Sequence, residues 1–448
     1  MSRIVDAVTA VLIHQGEVLL VHRQPFLHAF PGYHAFPGGK VDAADDEGPP
    51  LPERWRGFEA RLVRALLREL REEIALDLGA DATALRDVRH IGTALTPPPA
   101  PVRFDTRFFA IELDRRPSLR ADLNEIRGCE WASPRHWLQR YEQGELLCAP
   151  PTVAVLRALA ADIGVAATPG LHFETREQFP LTLIESMYGV RQILVRSHTL
   201  PPAQHTNCFL LGDAQSHRVL VDPSPADDAE MQRLIALVER FGIHEIFLTH
   251  HHPDHRERAN VLARHFDVPM GMSLDTQTRI AAAVPGYFDG ITVHHYREGD
   301  TLCRWLGRPV RVYAVPGHDE GQLALMPDQH AWCIVGDLIQ GLGTVVIAKP
   351  EGHMGRYFDS LRKIIALDPY AIYPSHGMAM GSSHRLQETL KHRELREKQV
   401  LALYREGRSV REMLSLIYAD VDPRLLPLAQ MNIESHLDKL REDGVIAA

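Results

Sequence analysis

Apolar and polar positions fall into short runs whose period changes along the chain. Near the start, AVTAVLI and EVLLVHR predict two strands. A glycine turn, FPGYHAFPGGK, follows, and FEARLVRALLRELREEIALDL then places its apolar positions at helical spacing. TRFFAIEL predicts a further strand. The stretch VAATPGLHFETREQFP carries Pro169, Gly170 and Pro180 with little periodicity, so a linker is expected there. Beyond it, QILVRS, CFLLG, RVLVD, EIFLTH, VRVYAV and AWCIVGD predict strands, with helices at DAEMQRLIALVERFG and YFDSLRKIIAL. Strands alternating with helices predict layered α/β architecture. From about 384 the period becomes helical throughout, in QETLKHRELREKQVLALYRE, VREMLSLIYAD and AQMNIESHLDKLREDG. The expected division is 1–165, a linker at 166–184, 185–383, and a helical tail at 384–448.

Length agrees with that division, because 448 residues exceed one compact domain. With 45% hydrophobic and 24% charged residues the chain is globular, not disordered, collagenous or coiled-coil. No apolar run is long enough for a membrane span, and the N-terminal apolar run suits a strand better than a signal peptide. Five scattered cysteines without a CxxC pair argue against a disulfide framework and for a reducing, cytoplasmic setting. A net charge of −9 disfavours a generally basic nucleic-acid surface. The 25 histidines, several of them clustered, point to metal chemistry.

In the first segment, Glu69, Glu72 and Glu73 share one arc of the helix that follows the glycine turn. The plain structural reading is a solvated face neutralised by Arg68 and Arg71. Clustered carboxylates beside a glycine turn are also the hard oxygen ligands that Mg²⁺ or Mn²⁺ needs to hold a pyrophosphate. These residues resemble the Nudix box, over roughly 1–165. The resemblance implies an α/β/α sandwich in which Glu72 and Glu73 bind the metal and Glu69 binds metal or acts as general base. It also implies that Arg68 orients the carboxylates and that Gly38 and Gly39 shape a substrate-binding loop. The sequence departs from the box in a longer stretch between Gly39 and Arg68. Glu59 also lies one place out of register, and Ala75 stands where the box has glycine. FPGGKVDAAD and TPPPAPVRFDTRFF are similar to the coenzyme A diphosphatase subgroup, although RFDTRFF reads equally well as a buried strand with a basic rim.

In the second segment, four histidines and an aspartate fall within six residues, His250 to His255, directly after the apolar run EIFL. Packing alone does not explain such a loop, and nitrogen with oxygen donors suits Zn²⁺. Further candidates follow at strand ends: His318 in VPGHDEG, Asp337 in VGDLI and His376 in YPSHG. This order resembles the metallo-β-lactamase fold, an αββα sandwich, over about 185–380. The resemblance implies two zinc ions, one held by His250, His252 and His318 and the other by Asp254, His255 and His376, with Asp337 bridging. Asp254 would also orient the nucleophile. His251 occupies a variable position and is not carried over, and Asp222 is expected beside the site. Two such ions roughly 3.5–4 Å apart supply a nucleophile at neutral pH and polarise a scissile bond. That suits phosphodiesters, thioesters or lactams alike.

HTNCFLLG together with the tail resembles the lactamase-β-like-2 group, which includes an endoribonuclease. The tail itself resembles a winged helix, with a short apolar strand expected after HLDKLREDG. Its 11 Lys and Arg balance 11 Asp and Glu, which favours a packing module over a phosphate-binding face. The expectation is therefore a hydrolase with two metal sites. One would cleave a pyrophosphate in a nucleotide or CoA-type small molecule, and the other a thioester. The alternatives are a zinc-dependent endoribonuclease or phosphodiesterase in the second segment, with RNA as partner, and a non-catalytic ligand sensor in the first. No membrane partner is expected.

Overall fold

The computed structural model describes residues 3–79, 85–97, 102–169, 171, 180–213 and 216–447. The linker expectation falls partly on 170 and 172–179, which lie outside the described residues. The chain forms two compact units, Met1–Arg191 and Gln192–Ala448.

The first unit is built on a seven-stranded sheet. Its organising strand, Arg3–His14, pairs in parallel with Val102–Leu113, which in turn pairs antiparallel with Leu85–Leu95. On its other edge lie Glu17–Arg23 and the short strand Gly38–Lys40. Alternation along the organising strand sends its side chains to two cores. Val8, Ala10 and Leu12 meet Leu62, Val63, Leu66 and Leu70 of the helix Ala60–Ile74. Val11 and Ile13 meet Trp137, Tyr141, Val153 and Leu156 from helices Pro134–Glu142 and Pro150–Ala161. A strand with both faces covered is nearly continuously apolar, and VTAVLI is interrupted only by Thr9.

In the second unit, one sheet runs in the order Val293–His295, Met270–Met272, Glu245–Phe247, Val219–Val221, His205–Leu211 and Val190–Arg196. The other runs from Thr301–Trp305 through Arg308–Ala314, Leu323–Pro327, Cys333–Gly336 and Ala371–Pro374 to Met380–Gly381. The sheets meet through pairs such as Phe209 and Tyr373, whose rings lie edge to face at 5.9 Å. Helix Met354–Leu367 covers the second sheet with buried Tyr357, Phe358 and Leu361. The tail forms helices His384–Arg405, Val410–Ile417 and Leu426–Glu442 around Val400, Met413, Ile433 and Leu437. The strand expected after the last helix is absent among the described residues. Val445 and Ile446 instead close that helix, their N–H groups turning back to the carbonyl of Leu440. No helix among the described residues is long and apolar enough to cross a membrane.

Candidate functional site

In the second unit the candidate residues all come from strand ends. His250, His252, Asp254 and His255 follow Glu245–Phe247. His318 follows Arg308–Ala314, Asp337 follows Cys333–Gly336, and His376 follows Ala371–Pro374. A strand end is where the chain leaves the sheet rigidly anchored, so side chains from four segments converge with little freedom.

Each imidazole is oriented by a bond at its far nitrogen. His250 Nδ1 donates to the Thr249 hydroxyl at 3.0 Å, which itself donates to Asp222 at 2.7 Å. His255 Nδ1 donates to Asp222 at 3.0 Å, His376 Nδ1 to the His205 carbonyl at 2.9 Å, and His318 Nδ1 to the Val346 carbonyl at 2.8 Å. His252 is reversed: its Nε2 donates to Glu351 at 3.0 Å. With those protons placed, the lone pairs of His250 Nε2, His252 Nδ1 and His318 Nε2 converge. Both outer nitrogens lie 3.0 Å from His252 Nδ1. Three acceptors pointed at one another repel unless a cation lies among them.

The other half mixes nitrogen and oxygen. His376 Nε2 lies 3.5 Å from both Asp254 and Asp337, and His255 Nε2 lies 3.8 and 3.6 Å from the same carboxylates. Asp337 reaches both halves, with its second oxygen 3.6 Å from His318 Nε2. His255 Nε2 and Asp337 Oδ1 are buried without a hydrogen-bond partner. The seven donors thus group as His250–His252–His318, Asp254–His255–His376 and His250–His255–Asp337, each within metal-binding reach. This donor set fits two borderline divalent ions.

The electrostatics divide in the same way. Burial, reinforced by His255 and His252, holds the His250 imidazole well below its ordinary value. Burial also lowers His318. Burial would lower His255 too, but Asp254, Asp337 and Asp222 outweigh it and hold it well above. Burial would raise the Asp337 carboxyl, yet His376 and His255 keep it well below the carboxylate range. A cation would substitute for a proton in the carboxylate half and fill the gap between lone pairs in the other.

His251, set aside in the sequence, is built in. It forms an ion pair with fully buried Asp319 and lies 3.2 Å from Glu351. The donation from His252, which outweighs burial, lowers the Glu351 carboxyl to about 2. No sequence motif marks Glu351, which sits in a surface turn far along the chain.

The carboxylate helix of the first unit is arranged differently. Glu69 and Glu73 are buried and Glu72 is exposed. Arg68 donates to Glu69 at 2.8 Å, to Glu72 at 2.9 Å and to Asp45 at 2.9 Å. Asp45, from the longer stretch before the helix, had no signal in the sequence beyond its charge. Glu73 accepts from the Gly38 amide at 2.9 Å and pairs with Arg23 at 3.4 Å. Gly39 gives Glu69 its space, since a Cβ there would lie 2.5 Å from the Glu69 carboxylate. Burial raises Glu69, and it raises Glu73 to about 8 against Arg23 and the Gly38 amide. Among the described residues these three carboxylates do not close into a three-donor set: Arg68 gathers Glu69 and Glu72, while Arg23 and the Gly38 amide hold Glu73. Buried oxygen donors with raised proton affinity nevertheless suit a hard dication. In RFDTRFF, Arg107 pairs with Asp6 at 3.1 Å and Asp105 at 2.8 Å, while Phe108 and Phe109 are buried.

These two sites and their folds define a metal-dependent hydrolase, a multidomain α/β protein with a Nudix domain, a metallo-β-lactamase domain and a C-terminal winged helix. Three family models match: the NUDIX domain over 3–146, the metallo-beta-lactamase superfamily over 201–376, and the beta-lactamase associated winged helix domain over 409–448. The chain is 28% identical over 254 residues to a protein named beta-lactamase-like protein 2 homolog from Drosophila melanogaster, covering 54% of this chain and 84% of the relative. It is also 28% identical to the atrochrysone carboxyl ACP thioesterase of Aspergillus fumigatus, covering 46% of this chain and 63% of that one. A beta-lactamase domain protein from Burkholderia ambifaria shares the fold, with a TM-score of 0.51 at 23% identity over 58% of this chain and 88% of its own.

Proposed function

We propose that the second unit hydrolyses a thioester and that the first hydrolyses the pyrophosphate of a nucleotide or a coenzyme A-type small molecule. The observation that carries the first half is the convergence of three imidazole lone pairs beside a carboxylate-rich half joined by Asp337. In this reading His250, His252 and His318 hold one zinc ion, Asp254, His255 and His376 hold the other, and Asp337 bridges. When bound, the ions supply an activated water and polarise the scissile carbonyl. Asp254 keeps part of its surface exposed and faces His376, so its carboxylate can also accept a proton from the attacking water and orient it. Asp222 receives the Thr249 hydroxyl and His255 Nδ1 together, which keeps both histidine rings from rotating.

In the first unit Glu69, Glu72 and Glu73 hold Mg²⁺ or Mn²⁺. Burial raises Glu69, which makes its carboxylate a stronger proton acceptor, as a general base requires. Arg68 holds the Glu69 and Glu72 carboxylates, and Gly38 and Gly39, lacking side chains, let the strand close against Val8 and the Glu69 carboxylate. The name of the Aspergillus relative supports the thioester, and the overall charge of −9 favours a small thioester over a polyanion. The test is a comparison of rates at physiological salt on acyl-CoA or acyl-phosphopantetheine, on coenzyme A and nucleoside diphosphate derivatives, and on single-stranded RNA. Thioester turnover lost in His252→Ala is expected. Efficient RNA cleavage without thioester turnover would replace this reading with an endoribonuclease.

A further inference from the structure

Four carboxylate and imidazole groups form an unbroken chain that ends on one candidate ligand. Asp319 pairs with His251 Nδ1. His251 Nε2 faces Glu351 Oε1 at 3.2 Å, and the other Glu351 oxygen accepts from His252 Nε2 at 3.0 Å. That last bond leaves His252 Nδ1 as the free nitrogen, directed at His250 and His318. Glu351 lies in the segment 344–352, and so does Val346, whose carbonyl receives His318 Nδ1 at 2.8 Å. One surface segment therefore orients two of the three imidazoles in the nitrogen-only half of the site.

That segment has no regular secondary structure of its own. The tail holds it. Ile347 N donates to Asn432 at 3.0 Å, and the Ser435 hydroxyl donates to the Ile347 carbonyl at 2.5 Å. Asn432 and Ser435 are both buried on helix Leu426–Glu442. Arg393, from the preceding long helix, donates to the Val345 carbonyl, and Lys349 pairs with Asp438 at 2.7 Å. Buried side chains that pair with both the N–H and the C=O of one residue fix that backbone in place.

We infer that Glu351 is a positioning residue for His252 and that the helical tail, acting through the 344–352 segment, sets the metal affinity of the His250–His252–His318 half alone. The inference rests on the reading of the second unit as a two-metal site. The carboxylate half has separate anchors, Asp222 and the His205 carbonyl, and does not depend on this segment.

The experiment is zinc titration of the full chain against a chromophoric chelator, together with the absorption spectrum of the cobalt-substituted protein. The wild type is expected to bind two ions in the second unit. Glu351→Ala should weaken one of them by about 10–100-fold and alter the cobalt spectrum, leaving the other ion unchanged. Glu351→Gln, which keeps an acceptor oxygen for His252, should recover most of the lost affinity. Asn432→Ala combined with Ser435→Ala should reproduce the selective loss with unchanged circular dichroism. Two ions at wild-type affinity in Glu351→Ala would overturn the inference. So would a third ion in the wild type that Glu351→Ala alone removes, which would make the Asp319–His251–Glu351 cluster a cation site. A wild type that binds no zinc would instead overturn the two-metal reading on which the inference stands.

Discussion

At the scale of single residues, Ala75 and Glu73 carry the clearest consequences. Ala75 ends the carboxylate helix in the left-handed region, at φ 55°, where its N–H closes on Arg71 and Leu70. An L residue is strained there and glycine is not. Relief of roughly 1–2 kcal/mol of strain, less the roughly 0.4–1 kcal/mol of entropy that glycine adds to the unfolded chain, should make Ala75→Gly stabilise the first unit by a net of roughly 0.5–1 kcal/mol. A urea midpoint that fails to rise would contradict this. Glu73 titrates near 8 in the folded metal-free protein, above its ordinary value of 4.5. Its contribution to stability is thus complete below about 4.5 and declines as pH rises through 8, each unit within that window costing up to about 1.4 kcal/mol. Glu73→Gln should flatten that decline in metal-free protein. Mg²⁺ added at pH 7 should release about one proton per chain, because a dication displaces the proton. Calorimetry in two buffers of different ionisation enthalpy reads the release directly, and zero release would mean that Glu73 is already ionised or takes no part.

At the scale of elements, adjacent glycines of the strand Gly38–Lys40 have separate tasks. Gly38 has φ 146°, and a Cβ would lie 2.2 Å from the Val8 carbonyl oxygen, a backbone atom of the organising strand. Gly38→Ala should cost stability, on the order of 2–3 kcal/mol. At Gly39 the three atoms nearest a Cβ all belong to the Glu69 carboxylate, the far end of a side chain rather than backbone. Gly39→Ala should leave the melting temperature nearly unchanged and reduce Mg²⁺-dependent pyrophosphate cleavage by at least about 10-fold. Equal losses of stability in the two variants would refute the distinction. The sequence exposed these elements unevenly. The helix at 60–74 and the strands around it were legible because one periodic face had to be buried, and the histidine loop because four imidazoles have no packing role. Glu351, Asn432 and Ser435 were illegible, since each acts through a backbone or ring that only the fold brings near. The strand expected near Val445 failed for the opposite reason. Two apolar residues suffice to cap a helix against Leu440 without pairing.

At the scale of the whole molecule, the two candidate sites lie on units that are each internally compact. Glu72→Gln should abolish pyrophosphate cleavage and spare thioester hydrolysis, and His252→Ala should do the reverse. Loss of both activities in either folded variant would reject two independent centres. The organising strand of the first unit carries a further consequence. Arg3–His14 makes its long parallel pairing with Val102–Leu113, the Val8–Arg107 register spanning nearly a hundred residues of chain. A nascent polypeptide emerging from a ribosome cannot bring these partners together until the later one has been synthesised. Until then the run VTAVLI can pair natively only on the edge that takes Glu17–Arg23 and Gly38–Lys40, its other edge stays open, and closing so distant a contact is slow. A strand made about a hundred residues before its parallel partner is thus secured late, and chaperones that recognise extended apolar chain have that interval in which to bind it.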